Sequence, residues 1–120
     1  MPKVLVVDDA AFMRLALKTI LERNGFQIVG EAENGAVALK MYQEYKPDLV
    51  TMDITMPVLD GIQSLKAIRQ YDPKAKVIIV SAMGQEGMIK EAIASGAKSF
   101  IIKPFKEGHV IETLTKIATA

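Results

Sequence analysis

The chain has 120 residues, 50% of them hydrophobic, and a formal net charge of +1: enough apolar material for a core without covalent staples, and no charge imbalance that would draw nucleic acid or an anionic membrane. It has no cysteine, which excludes disulfides, thiolate metal sites and thiol catalysis. No apolar run is long enough to span a bilayer, and Met1-Pro2-Lys3 leads into a strand-like segment without a signal peptide, so one cytoplasmic domain over residues 1–120 is expected.

Strand-like and helix-like segments alternate from the start. Lys3-Val4-Leu5-Val6-Val7 is an unbroken apolar run that reads as a strand buried on both faces, and Asp8-Asp9 ends it. Met13, Leu17, Ile20 and Leu21 then form a helical stripe, with Asn24-Gly25 as a left-handed stop. Gln27 to Ala32 reads as a more polar strand near a sheet edge. Asn34 is a helix cap, and Ala38, Met41, Tyr42 and Tyr45 form the inward face of a helix that ends before Pro47. Asp48 to Met52 is a third strand, ended by Asp53. Asp60 caps the next helix, with Ile62, Leu65 and Ile68 inward and Asp72-Pro73 as its exit. Lys76 to Val80 is a fourth strand, ended by Ser81. The helix after it is striped by Met88, Ala92 and Ile93 and stopped by Gly96. Ser99 to Ile102 is the fifth strand, followed by Lys103-Pro104, and Val110, Leu114 and Ile117 stripe the last helix.

Five strand–helix units in strict alternation imply an α/β fold: one doubly wound, five-stranded parallel sheet with helices on both faces. Ligands of such sheets sit at the carboxyl ends of the strands. If the first, third, fourth and fifth strands are neighbours, Asp8, Asp9, Asp53, Ser81 and Lys103 converge on one edge. That leaves the second strand outside the first, giving order 2-1-3-4-5, the known order of flavodoxin-like sheets. Three carboxylates held together repel and raise one another's pKa values unless a cation joins them. A hard divalent ion such as Mg2+ suits oxygen ligands and keeps waters for a phosphate. Lys103 adds a second positive charge, Ser81 a hydroxyl donor, and Asp53, on the middle strand, is the best-placed nucleophile for an acyl phosphate.

These residues closely resemble the receiver domain of two-component response regulators over essentially the whole chain. The marks are Val7-Asp8-Asp9, Met52-Asp53-Ile54-Thr55-Met56-Pro57 with Asp60-Gly61, Ser81-Ala82, and Lys103-Pro104-Phe105. Asp8 to Arg14, Thr51 to Pro57 and Ser81 to Gln85 narrow the resemblance to single-domain chemotaxis members. The resemblance implies that Asp53 is the phosphoacceptor and that Asp9 ligates Mg2+ directly, while Asp8 acts largely through metal-bound water. It further implies that the Thr55 backbone carbonyl is a ligand, Lys103 contacts the phosphoryl group or bridges it to Asp8, and Ser81 is the switch hydroxyl. Small Ala82 leaves access to the acyl phosphate, and Lys103-Pro104 is expected to be cis. Phe100 occupies the aromatic switch position where many chemotaxis members carry Tyr, so a rotamer switch survives without a phenolic hydrogen bond. The implied partners are a chemotaxis-type histidine kinase and a flagellar motor switch protein, with the chain a monomer and not itself an enzyme.

Other signals carry less. His109, the only histidine, reads as a solvated or capping residue at the start of the last helix rather than a phosphohistidine. The seven methionines are mostly spaced as core residues, with Met83 and Met88 as candidates for an output face. Gly84, Gly87 and Gly96 lack the spacing of a phosphate-cradling loop. A Mg2+-dependent phosphatase of the haloacid-dehalogenase type uses the same residue types, but it calls for an Asp-x-Asp nucleophile pattern at the first strand, where this chain has adjacent Asp8-Asp9. A stand-alone receiver in a non-chemotaxis phosphorelay remains open on site chemistry alone.

Overall fold

The computed structural model describes all 120 residues. Strands β1 (Lys3–Val7), β2 (Gln27–Ala32), β3 (Leu49–Asp53), β4 (Val77–Ala82) and β5 (Ser99–Lys103) alternate with helices α1 (Ala11–Glu22), α2 (Gly35–Tyr45), α3 (Gly61–Tyr71), α4 (Glu86–Ala94) and α5 (Glu107–Ala118). All pairings are parallel and the sheet order is β2-β1-β3-β4-β5, as the convergence of polar strand ends requires. Asp53, Ser81 and Lys103 lie further in than expected, inside the paired strands rather than in the loops: Asp53 and Lys103 are the last paired residues of β3 and β5, opposite Val80 and Ala82, and Ser81 is the penultimate residue of β4, opposite Ile102.

Side-chain alternation along buried strands makes two cores. Leu5, Val7, Val50, Met52, Val77 and Ile79 pack under α2, α3 and α4, against Tyr42, Leu65, Ile68, Ile89 and Ala92. Val4, Val6, Leu49, Ile78, Val80 and Ile101 face α1 and α5, against Leu17, Leu21, Val110 and Leu114. Local chemistry fixes the helix ends. The Asn34 side chain accepts from Val37 N–H at 2.9 Å, and Asp60 forms a reciprocal capping box with Gln63. Gly25 and Gly96 take positive φ after α1 and α4, whereas α2 ends on a non-glycine residue, Lys46, at φ 47°.

Three inward assignments need correction. Tyr45 is exposed, because the last turn of α2 overhangs edge strand β2 and only one side of the ring meets Gly30. Met88 and Ile93 are also exposed, since α4 covers only the margin of the sheet and rests on it through Ile89 and Ala92. Of the methionines, only Met52 and Met56 are buried, so most are not core. No helix is long and apolar enough to cross a membrane.

Candidate functional site

The site lies where the carboxyl ends of β1, β3, β4 and β5 meet. Asp8 and Asp9 follow β1 and Asp53 ends β3; because these strands are neighbours, one carboxylate oxygen from each residue lies within 4.8 Å of the others. Asp8 is buried and fixed from two sides. Its Oδ1 accepts from Ala10 N–H at 2.9 Å, and its Oδ2 accepts from Lys103 Nζ at 2.9 Å. Lys103 also approaches Asp53 Oδ1 at 3.5 Å, so one ammonium from the last strand bridges carboxylates of the first and third. Asp9 is exposed at the mouth. The Lys103–Pro104 bond is cis.

Burial raises the Asp53 carboxyl to about 6, with the Asp8 charge as the next contribution; Lys103 and the Ile54 N–H oppose the shift without cancelling it. Three carboxylates against one ammonium leave the site short of positive charge. Its donors are all oxygens, two of them on buried side chains, and one face opens to solvent through Asp9. That set fits a small hard divalent cation such as Mg2+.

The remaining expected residues divide. Thr55 is exposed in the β3–α3 loop, and its hydroxyl accepts from Gln85 Nε2 at 2.9 Å. Ser81 is fully buried but does not bond Asp53; its hydroxyl donates to Gln85 Oε1 at 2.6 Å and to the Ala82 carbonyl at 3.1 Å. Ala82 is exposed beside it. Phe100 stands on β5 opposite Ile79, outside the acidic cluster, and is 44% exposed in an apolar groove with Ile89 and Ile93. His109 is exposed in the first turn of α5, away from the cluster. The β3–α3 loop turns at Val58, where φ is +69° and Leu59 N–H bonds the Pro57 carbonyl at 2.8 Å, a strained γ-turn for a β-branched residue.

Two participants stand in motif segments of the sequence that assign them no role. Arg14 donates to the Asp8 carbonyl at 2.6 Å and to Glu31 at 3.1 Å, tying the loop that carries both aspartates to β2. Gln85 joins the loops on either side of Asp53. Their sequence signals are faint: Arg14 and Gln85 only close the segments Asp8 to Arg14 and Ser81 to Gln85, and Gln85 follows a glycine able to turn the chain back.

The family model for the response regulator receiver domain matches residues 4–115. The chain is 57% identical to the chemotaxis protein CheY of Bacillus subtilis, covering 95% of both chains. It is 54% identical to CheY of Thermotoga maritima, covering 97% of both. Among solved structures, a chain of the CheX–CheY–BeF3–Mg2+ complex of Borrelia burgdorferi matches with TM-score 0.92 at 38% identity, over 96% of this chain and 87% of that one. With the sheet order, the acidic cluster and these matches together, the chain belongs to the response regulator receiver family and is most similar there to CheY.

Proposed function

We propose that this chain, over residues 1–120, is a phosphorylation-controlled switch: Asp53 accepts a phosphoryl group from a chemotaxis-type histidine kinase, and the modified chain changes its affinity for a flagellar motor switch protein. The observation that carries the reading is the setting of Asp53, a buried carboxylate at the end of the central strand, grouped with Asp8 and Asp9 and with the Lys103 ammonium that bridges it to Asp8. The relatives named for chemotaxis support the choice of kinase and output. A cytoplasmic monomer fits both partners.

An Asp53 oxygen attacks the phosphorus of a phosphohistidine; the P–N bond breaks, and the departing imidazole keeps the electron pair and takes up a proton. Lys103, already between Asp8 and Asp53, meets the charge spread over the transferred group. Asp9, Asp8, Asp53 and the Thr55 carbonyl would hold Mg2+, which when bound neutralises phosphoryl oxygens. Ser81, one strand away, supplies a hydroxyl donor once it turns toward Asp53. That turn vacates space below the β4–α4 loop, and Phe100 rotates inward from its exposed groove, remodelling the α4–β5–α5 face. Burying the ring favours the switched state by ~1–2 kcal/mol.

The test is direct. With Mg2+ and a small acyl-phosphate donor, the intact mass of the parent should rise by one phosphoryl group, and Asp53→Asn should abolish the gain. Equal labelling of the variant sinks the assignment. Affinity for the motor switch protein with and without beryllofluoride should change about tenfold in the parent and by less in Ser81→Ala and Phe100→Ala.

A further inference from the structure

Gln85 has contacts that the chemistry above leaves unused. It follows Gly84, whose φ of +91° turns the chain back so that the Gln85 side chain lies over the end of β4. Its amide oxygen accepts from Ser81 Oγ at 2.6 Å and from Ala82 N–H at 3.0 Å, while its amide nitrogen donates to Thr55 Oγ1 at 2.9 Å. The amide orientation is fixed by its partners. A backbone N–H can only donate, so the atom facing Ala82 must be the oxygen, and the nitrogen is left for Thr55. One side chain therefore straps the β4–α4 loop to the β3–α3 loop across the approach to Asp53.

The strap also occupies the proton that matters. A serine hydroxyl has one proton to donate, and here it points to Gln85 and the Ala82 carbonyl rather than toward Asp53. Any state in which Ser81 donates to a group on Asp53 must first break the bond to Gln85. That bond stabilises only the unmodified arrangement.

We infer that Gln85 is a positioning residue: it holds the Ser81 hydroxyl away from Asp53 and thereby sets how strongly the chain resists the switched state. The inference rests on Asp53 as phosphoacceptor and adds a regulator to that site. Thr55 is one of its anchors beside the Ala82 N–H, so without the Thr55 hydroxyl the amide is held less firmly and follows Ser81 more readily.

Beryllofluoride with Mg2+, titrated by calorimetry as a phosphoryl mimic, separates the possibilities. Gln85→Ala and the length-preserving Gln85→Met should each bind it about fivefold more tightly than the parent, the equilibrium equivalent of one ordinary hydrogen bond. Thr55→Val should give a smaller gain of the same sign. In a Ser81→Ala background, Gln85→Ala should make no difference, a result that loosening of the loop alone would not produce. Unchanged or weaker binding by Gln85→Met overturns the inference, as does an equal gain with and without the Ser81 hydroxyl. If the parent and Asp53→Asn bind beryllofluoride equally, the phosphoacceptor reading fails first and takes the inference with it.

Discussion

Asp53 and Thr51 lie two residues apart on β3, both buried, and burial acts on them in different ways. For Asp53 it disfavours the charge, so the native carboxyl titrates at about 6 against 3.8 for the unperturbed group. Between those values the native chain holds a proton that the unfolded chain has lost. Stability therefore falls as pH rises through this window and stays reduced above it. Asp53→Asn is expected to stabilise the metal-free protein by about 2 kcal/mol at pH 7.5 and by little at pH 4. Urea melts in chelator at both values check this, and equal gains would exclude ionisation as the source. Thr51 lies between Val6 and Ile78 with its hydroxyl buried and unpartnered. Thr51→Val keeps the shape and removes the unsatisfied group, so it should raise stability by about 1 kcal/mol in the same melts. The clustered carboxylates make the direction of the Asp53 shift legible in the sequence, though not burial as its leading cause; the Thr51 effect is not legible there, where Thr51 is simply a β-branched residue in an apolar run.

At the scale of elements, helix caps are legible because they act locally. Asn34 and Asp60 act on N–H groups three residues on, so spacing alone identifies them as caps. Inward faces are less so, because helical period says which residues share a side but not how far the sheet extends beneath them. Tyr45 fails at the end of α2 for that reason, and Ile93 fails on α4. The α2–α3 contact also depends on a link that periodicity cannot reveal: the Tyr42 hydroxyl donates to Asp72 at 2.7 Å, and the Tyr42 ring meets Tyr71 edge-on at 6.3 Å. Burial first, and then this bond, push the Tyr42 phenol well above its ordinary range, while the same bond leads the lowering at Asp72. Tyr42→Phe should cost about 1 kcal/mol, and the loss should disappear in an Asp72→Ala background. Additive losses in a thermal double-mutant cycle would mean that the hydroxyl acts elsewhere.

For the whole molecule, the site depends on how closely layers approach. Gly61 opens α3 directly against the end of β3, its N–H bonded to the Ile54 carbonyl at 2.7 Å; a Cβ there would overlap the Asp53 carbonyl and lie 2.8 Å from Ile54 Cα. Gly61→Ala should cost about 1–3 kcal/mol and also weaken Mg2+ binding, because the backbone it displaces carries Asp53. Full Mg2+ affinity by calorimetry in a destabilised variant would show that α3 yields instead of β3. The convergence of Asp8, Asp9, Asp53, Ser81 and Lys103 was legible because strand ends are marked in the sequence and a parallel sheet aligns them. Arg14 and Gln85 were not, since their partners are set by how loops fold back, which no strand or helix period encodes.

The lysine that bridges Asp8 and Asp53 belongs to β5, the last strand in the chain, while the carboxylates it faces belong to the first and third. Without β5 the same sheet edge would gather three acids with no amine among them. Docking of the final edge strand then does two things at once: it covers the flank of β4 and relieves the repulsion at the top of the sheet.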